Sequence, residues 1–202
     1  MEHVATVKRL VAGIFVGGAS SRMGQPKGLL PAPSGGSLVE RTLAMCRDLG
    51  ADVVLLGARP EYESLGVTVL ADRFVGIGPL AGVESLLRLA ATDGAVALTC
   101  PCDMPYLPAA LLVRLLRSVP EAQAVAARRA DGRVEPLLAR YDAARCLAPI
   151  TARAEGAARG ESGAVWRALV DLGAAYLDVT EGEEDALSDW DTPEDVLSRS
   201  RP

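Results

Sequence analysis

The sequence predicts an α/β domain: a mainly parallel central sheet flanked by helices. Three observations predict it. Short, wholly apolar runs recur along the chain, amphipathic segments with recognisable starts and stops lie between them, and glycine-containing turns join the two. Val11-Ala12-Gly13-Ile14-Phe15-Val16 is the first run, and continuous hydrophobicity of this kind marks a strand buried on both faces. Ser37-Leu38-Val39-Glu40 forms a capping box that starts a helix ending at Gly50. Further strands are predicted at 52–57, 67–70 and 95–100, with helices opening at Pro79 and Pro108, where proline suits the first helical position. Past residue 120 the pattern loosens. A hairpin over 124–141 turns at Asp131-Gly132-Arg133, helical segments cover about 142–154 and 163–171, a strand covers 175–179, and Thr192-Pro193-Glu194-Asp195 begins a last short helix.

Composition bounds the function. A chain of 202 residues, half hydrophobic and only 4% aromatic, builds one domain around an aliphatic core. The net charge of −5 and the lack of a basic tract argue against nucleic acid as a partner. No stretch approaches the ~20 apolar residues of a membrane span. Lys8 and Arg9 before the first apolar run resemble a signal peptide, but the run is short and Arg22 and Lys27 follow closely. Four scattered cysteines (Cys46, Cys100, Cys102 and Cys146) form no secreted framework and point to a reducing, cytoplasmic compartment. Cys100 and Cys102 read as buried thiols, since a zinc site needs more ligands and the lone histidine is His3.

Chemistry concentrates in a few loops. Gly17-Gly18-Ala19-Ser20-Ser21-Arg22-Met23-Gly24-Gln25-Pro26-Lys27 follows the first strand. Its glycines let successive N–H groups face an anion, Ser20 adds a hydroxyl donor, and Arg22 and Lys27 add positive charge. That is a phosphate cradle at a strand's carboxyl end, where open α/β sheets bind ligands; the plainer reading is a βα loop with two surface cations. No Walker A pattern is present. Asp103, in Thr99-Cys100-Pro101-Cys102-Asp103-Met104-Pro105, ends another buried strand. A carboxylate there suits Mg²⁺, which takes one or two protein carboxylates plus phosphate oxygens; the alternative is a turn-forming aspartate. Asp72 precedes Gly76-Ile77-Gly78-Pro79, a close-packed loop feeding a helix N-terminus. Asp189 and Asp191 flank Trp190 and share a side on extended backbone, where two carboxylates share a cation or stay in solvent; the plainer reading of Asp191 is a local turn carboxylate. With no Ser-His-Asp, Cys-His or HExxH set to be built, phosphoryl chemistry driven by positioning and charge neutralisation fits best.

These segments resemble a known family. VGGASSRMGQPK is similar to the signature of small nucleotidyltransferases, and Asp72 with GPLAG, PCDMP, EPLLARY and DTPED follow in the order of the molybdenum cofactor guanylyltransferases. The resemblance covers nearly the whole chain and implies a single Rossmann-like domain, with a nucleotide-binding half over about 1–120 and an acceptor-binding half over about 121–202, the hairpin and helices forming a small elaboration. It implies Mg²⁺-dependent transfer of GMP from GTP to molybdopterin, with pyrophosphate released. Phe15, Val16 and Gly17 match the segment whose backbone contacts the guanine nucleotide, with Gly18, Ser20 and Gly78 in the surrounding loops. Lys27 matches the phosphate-binding lysine, Asp72 a nucleotide-site aspartate and Asp103 the metal ligand; Arg22 joins Lys27 and Asp103 in catalysis, and Asp191, with Asp189 as a further candidate, joins Asp103 at the metal. Transient contact with molybdoenzyme maturation proteins is a further implication. Gly57-Ala58-Arg59 departs from the family's asparagine after the second strand, and Asp189-Trp190-Asp191-Thr192-Pro193 resembles cytidylyltransferase relatives. A non-catalytic nucleotide-binding regulator is the reading from a different class.

Overall fold

Apolar side chains on both faces of the first strand decide where the helices lie. In the computed structural model, which describes residues 9–17, 26–57 and 60–190, β1 (Leu10–Phe15) buries Val11 and Phe15 in one hydrophobic cluster and Ala12 and Ile14 in another. Successive side chains of a strand point to opposite faces, so β1 is covered on both sides. The first cluster takes in Leu80, Val83 and Leu87 of α2 (Pro79–Ala91), Ile150 of α4 (Ala143–Ala158) and Leu169 of α5 (Val165–Asp171). The second takes in Leu43 and Cys46 of α1 (Leu38–Asp48) and Leu111 and Leu115 of α3 (Ala109–Arg117).

The sheet has seven strands in the order β3-β2-β1-β4-β6-β5-β7. Here β2 is Asp52–Leu56, β3 Val69–Leu70, β4 Val96–Pro101, β5 Ala124–Arg128, β6 Val134–Asp142 and β7 Ala175–Asp178. β1 runs parallel to both β2 and β4, and β6 alone runs against its neighbours. The carboxyl ends of β1, β2 and β4 therefore share one edge at the middle of the sheet, where ligands bind in open α/β folds. The hairpin predicted over 124–141 is present, and it is built into this central sheet: β6 pairs with β4 as well as with β5. Pro136 falls where the β5–β6 register jumps from Ala126↔Ala139 to Ala127↔Glu135, so its missing N–H costs the ladder nothing.

Local signals placed most elements. The capping box at Ser37 is formed, with the Ser37 N–H donating to Glu40 Oε2 at 2.8 Å. Past the end of α1, the Gly50 N–H closes on the Arg47 carbonyl and the Ala51 N–H on that of Cys46. The third strand is shorter than predicted, only Val69–Leu70. α4 runs beyond the predicted stop near 154 to Ala158 and carries Pro149 inside it, because packing of Ile150 and Ala154 outweighs the one lost hydrogen bond. A short helix α6 (Glu181–Glu184) was not foreseen, although Thr180 and Glu183 form a second capping box. The last predicted helix, from Thr192, lies outside the described residues. No described helix is long and apolar enough to cross a membrane.

Replacing Ser37 with alanine should cost about 1 kcal/mol, the usual worth of a side-chain N-cap, read as a lower urea midpoint at unchanged slope. A midpoint equal to wild type would show that the capping box adds nothing here.

Candidate active site

Register across three strands brings the site together. Leu56 of β2 pairs with Phe15 of β1, and Phe15 pairs with Pro101 of β4. Gly17 and Asp103 each lie two residues beyond that line, so they leave the sheet side by side. The β1–β2 contact continues past the strands: the N–H groups of Val16 and Gly17 both donate to the Leu56 carbonyl, at 3.0 and 3.3 Å. Gly57 sits at φ +91°, and a Cβ there would lie 2.7 Å from Gly17 Cα, so this close crossing admits only glycine.

Above this crossing opens a cavity of about 410 Å³, lined by Phe15, Gly17, Leu56, Gly57, Asp72, Gly76, Gly78, Pro79 and Gly82. Its floor is backbone and apolar side chain, which suits a flat ring. Gly78 is the N-cap of α2 and no side chain caps that end, so the positive end of a three-turn helix faces the cavity. Asp72 is the one carboxylate among the described residues of the lining. It stands on the rim, and partial desolvation by the wall holds its pKa above the ordinary carboxylate value. Val16 is buried, with its side chain in the second core cluster, so only its backbone faces this edge.

At the end of β4 the structure pairs two predicted residues. Lys27 Nζ lies 3.4 Å from Asp103 Oδ2, both side chains about three-quarters buried. Lys27 opens a short 3-10 turn, Lys27–Leu29, and Gly28 presses that turn against the strand-end loop: a Cβ there would lie 2.8 Å from Tyr62 Oη and 3.2 Å from Cys102 Sγ. Burial is the main influence on Asp103 and raises its pKa, Lys27 opposes, and the negative charge of Asp189 raises it further. Asp189 is brought here by its neighbour. Trp190 is buried among Leu30, Ala32 and Leu38, meets Tyr106 edge-on at 6.2 Å, and its backbone N–H donates to the Asp103 carbonyl at 2.9 Å. Sequence reasoning used Trp190 only as a spacer; a tryptophan in an acidic segment was the signal that the segment docks.

The same segment is clamped at a second point. Buried Arg129 donates to Glu135, to the Leu187 carbonyl and, at 3.4 Å, to the Glu184 carbonyl. Glu135 thus orients an arginine that holds the returning chain. Next to Trp190's partner Tyr106 lies an open cavity of about 590 Å³, also lined by Gly182, Asp185 and Ala186. Cys46, Cys100, Cys102 and Cys146 are buried and free, and burial first of all pushes the Cys102 thiol up to about 12, so it is an inert thiol.

Of the predicted site residues, Phe15, Gly17, Asp72 and Gly78 line one cavity, and Lys27, Asp103 and Asp189 gather beside it. Gly18, Ser20, Arg22 and Asp191 lie outside the described residues. Among the described residues no group of three or more histidine, cysteine or acidic side chains could by itself hold a metal ion. Asp103 and Asp189 nonetheless fit a divalent cation. Asp103 is partly buried and Asp189 exposed; two like charges that oppose each other gain from a shared cation, and magnesium needs no more than one or two carboxylates when phosphate oxygens complete its shell.

The raised pKa of Asp103 belongs to the folded state. Its protonated form therefore favours folding; that contribution is complete below the ordinary value of 3.8 and is lost as pH rises through the folded value. Asp103→Asn should accordingly melt higher than wild type at neutral pH, with the gap closing toward about pH 3. A variant that melts lower at neutral pH would show that the ionised carboxylate stabilises the fold.

Comparison with known proteins gives the family. Residues 12–171 match the family described as MobA-like NTP transferase domain. The chain is 32% identical over 195 residues to a probable molybdenum cofactor guanylyltransferase of Opitutus terrae, covering 95% of each. It is 38% identical over 135 residues to the probable molybdenum cofactor guanylyltransferase of Carboxydothermus hydrogenoformans, covering 67% of this chain and 66%, just under two thirds, of that relative. The crystal structure of molybdopterin-guanine dinucleotide biosynthesis protein A from Archaeoglobus fulgidus superposes with a TM-score of 0.72 at 23% identity, over 94% of this chain and 95% of that one, which shows the shared fold. The family match over residues 12–171 and the relative matched along nearly its whole length establish that the chain belongs to the MobA-like NTP transferase family.

Proposed function

We propose that this chain transfers GMP from GTP to the phosphate of molybdenum cofactor and releases pyrophosphate. The observation that carries the mechanism is the Lys27–Asp103 pair, 3.4 Å apart, at the sheet edge beside the cavity. The relatives' names supply the substrates.

In this reading the nucleoside fills the cavity between Phe15, Gly57 and Gly82, and Asp72 accepts hydrogen bonds from its N–H or hydroxyl donors. The α2 N-terminus and Lys27 take the phosphates, and Arg22, Gly18 and Ser20 join them on the strength of their place in the loop that ends at Lys27. The acceptor phosphate approaches from the second half of the chain, past Tyr106 and Asp185. Its ionised oxygen forms a bond to the α-phosphorus of GTP as the bond to the bridging oxygen of the β-phosphate breaks, and pyrophosphate carries that electron pair away. No strong general base is needed, since the nucleophile is already ionised. Nucleotidyltransferases generally use a divalent metal; here magnesium would be held by Asp103, with Asp189 or Asp191, and would supply charge neutralisation at the α-phosphate and the leaving group. Lys27, fixed by its turn and by Asp103, meets charge that develops on the leaving phosphates, and preorganised charge of this kind is usually the largest catalytic contribution.

Pyrophosphate release from GTP with molybdopterin as acceptor tests the assignment. Asp103→Ala should abolish turnover while the protein stays folded. Lys27→Ala should raise the KM for GTP and lower kcat, together costing about 10²–10³-fold in kcat/KM, the range for removing one such donor. Chelation of divalent metal should stop turnover reversibly. Unchanged GTP use in Lys27→Ala would contradict the phosphate role. The Asp189-Trp190-Asp191-Thr192-Pro193 segment favours a second reading, cytidylyl transfer to the same acceptor. Competition among GTP, CTP and ATP separates the two, and preference for CTP would select the second.

A further inference from the structure

Glu84 is a carboxylate with no exposed surface, in the middle of α2 and on the face turned into the core. Its Oε1 accepts from three elements: Arg73 Nη1 at 3.4 Å from the segment after β3, Arg88 one turn along α2, and Thr151 Oγ1 at 3.1 Å from α4. Its Oε2 is buried without a hydrogen-bond partner among the described residues. An apolar side chain of similar volume could fill this place without that desolvation cost, so packing alone does not explain a carboxylate here.

What Glu84 holds is more telling. Arg73 directly follows Asp72, and the residue before Asp72 is held by the neighbour of Glu84: Ser85 Oγ donates to the Ala71 carbonyl at 3.1 Å. Two adjacent residues of α2 thus contact both neighbours of Asp72, the one carboxylate among the described residues that lines the 410 Å³ cavity. Arg73 is further braced on the Phe74 ring, 5.0 Å from its centroid. Asp72 itself lies on an exposed stretch, so the placement of its flanking residues decides where its carboxylate stands. Through Thr151 the same oxygen also reaches α4.

We infer that Glu84 is a positioning residue for nucleotide binding: while Ser85 holds the Ala71 backbone, Glu84 anchors the Arg73 side chain on the other flank, and together they set the Asp72 carboxylate against the nucleoside. This rests on the reading of the cavity as the nucleotide site. Glu84→Gln keeps the shape and one acceptor oxygen but removes the charge that holds Arg73. It should raise the KM and the Kd for GTP at least about threefold, with kcat and the KM for the acceptor unchanged. Because the effect passes through Asp72, the double variant with Asp72→Asn should bind GTP no more weakly than Asp72→Asn alone. Arg73→Gln, on a half-exposed side chain that tolerates change, should give the same signature and keeps the test open if Glu84→Gln folds poorly. If Asp72→Asn weakens GTP binding but Glu84→Gln and Arg73→Gln do not, or if the effects add, the positioning role is overturned. Asp72→Asn that leaves GTP binding unchanged would instead overturn the assignment of the cavity.

Discussion

Parallel pairing of β1 with β2 on one side and β4 on the other is the constraint on which the site depends. It aligns Leu56, Phe15 and Pro101 in one row, so the residues just beyond them leave the sheet at the same level. A slip of one residue in either ladder would turn every side chain to the opposite face and separate Gly17 from Asp103. Both faces of β1 are buried under different sets of helices, which makes such a slip costly. The scaffold therefore carries precision that a loop alone could not.

Charge placement works against stability at this edge. Asp103 is held largely out of water, with Asp189 adding repulsion and Lys27 only partly offsetting it. Residues of this kind are kept where function needs a poised charge, and the surrounding structure must hold them in place. Here the holding is done from outside the pair. Trp190 docks in its own small apolar cluster and bonds to the Asp103 backbone, Arg129 clamps the chain that leads to it, and Gly28 seats Lys27 against Tyr62 and Cys102. None of these residues needs to touch a substrate for the site to depend on it.

Much of the fold was legible because its signals are local. Apolar runs, the Ser37 capping box and the Asp131-Gly132 turn each declare an element within a few residues. Lys27, Asp72 and Asp103 were legible as candidates because a cation after a glycine turn and carboxylates near strand ends sit where open α/β sheets bind ligands. What stayed hidden was non-local. Nothing in 124–141 tells that the hairpin slots between β4 and β7, because strand order is settled by packing across the whole sheet. Trp190 and Arg129 act on segments far from them in sequence. Glu84 left a trace, since it shares the helical stripe of Leu80 and Leu87, but a charged residue on an apolar stripe does not name its partners.

In the proposed function Lys27 and Asp103 act as one unit on the phosphates of a nucleotide. A double-mutant cycle of Lys27→Met and Asp103→Asn, followed by pyrophosphate release from GTP with saturating acceptor, measures it most directly. Groups that serve the same charge in the transition state are strongly non-additive, so the double variant should be about as slow as the slower single variant. Losses that multiply independently would contradict the claim, and the pair would then be a surface ion pair that happens to border the cavity.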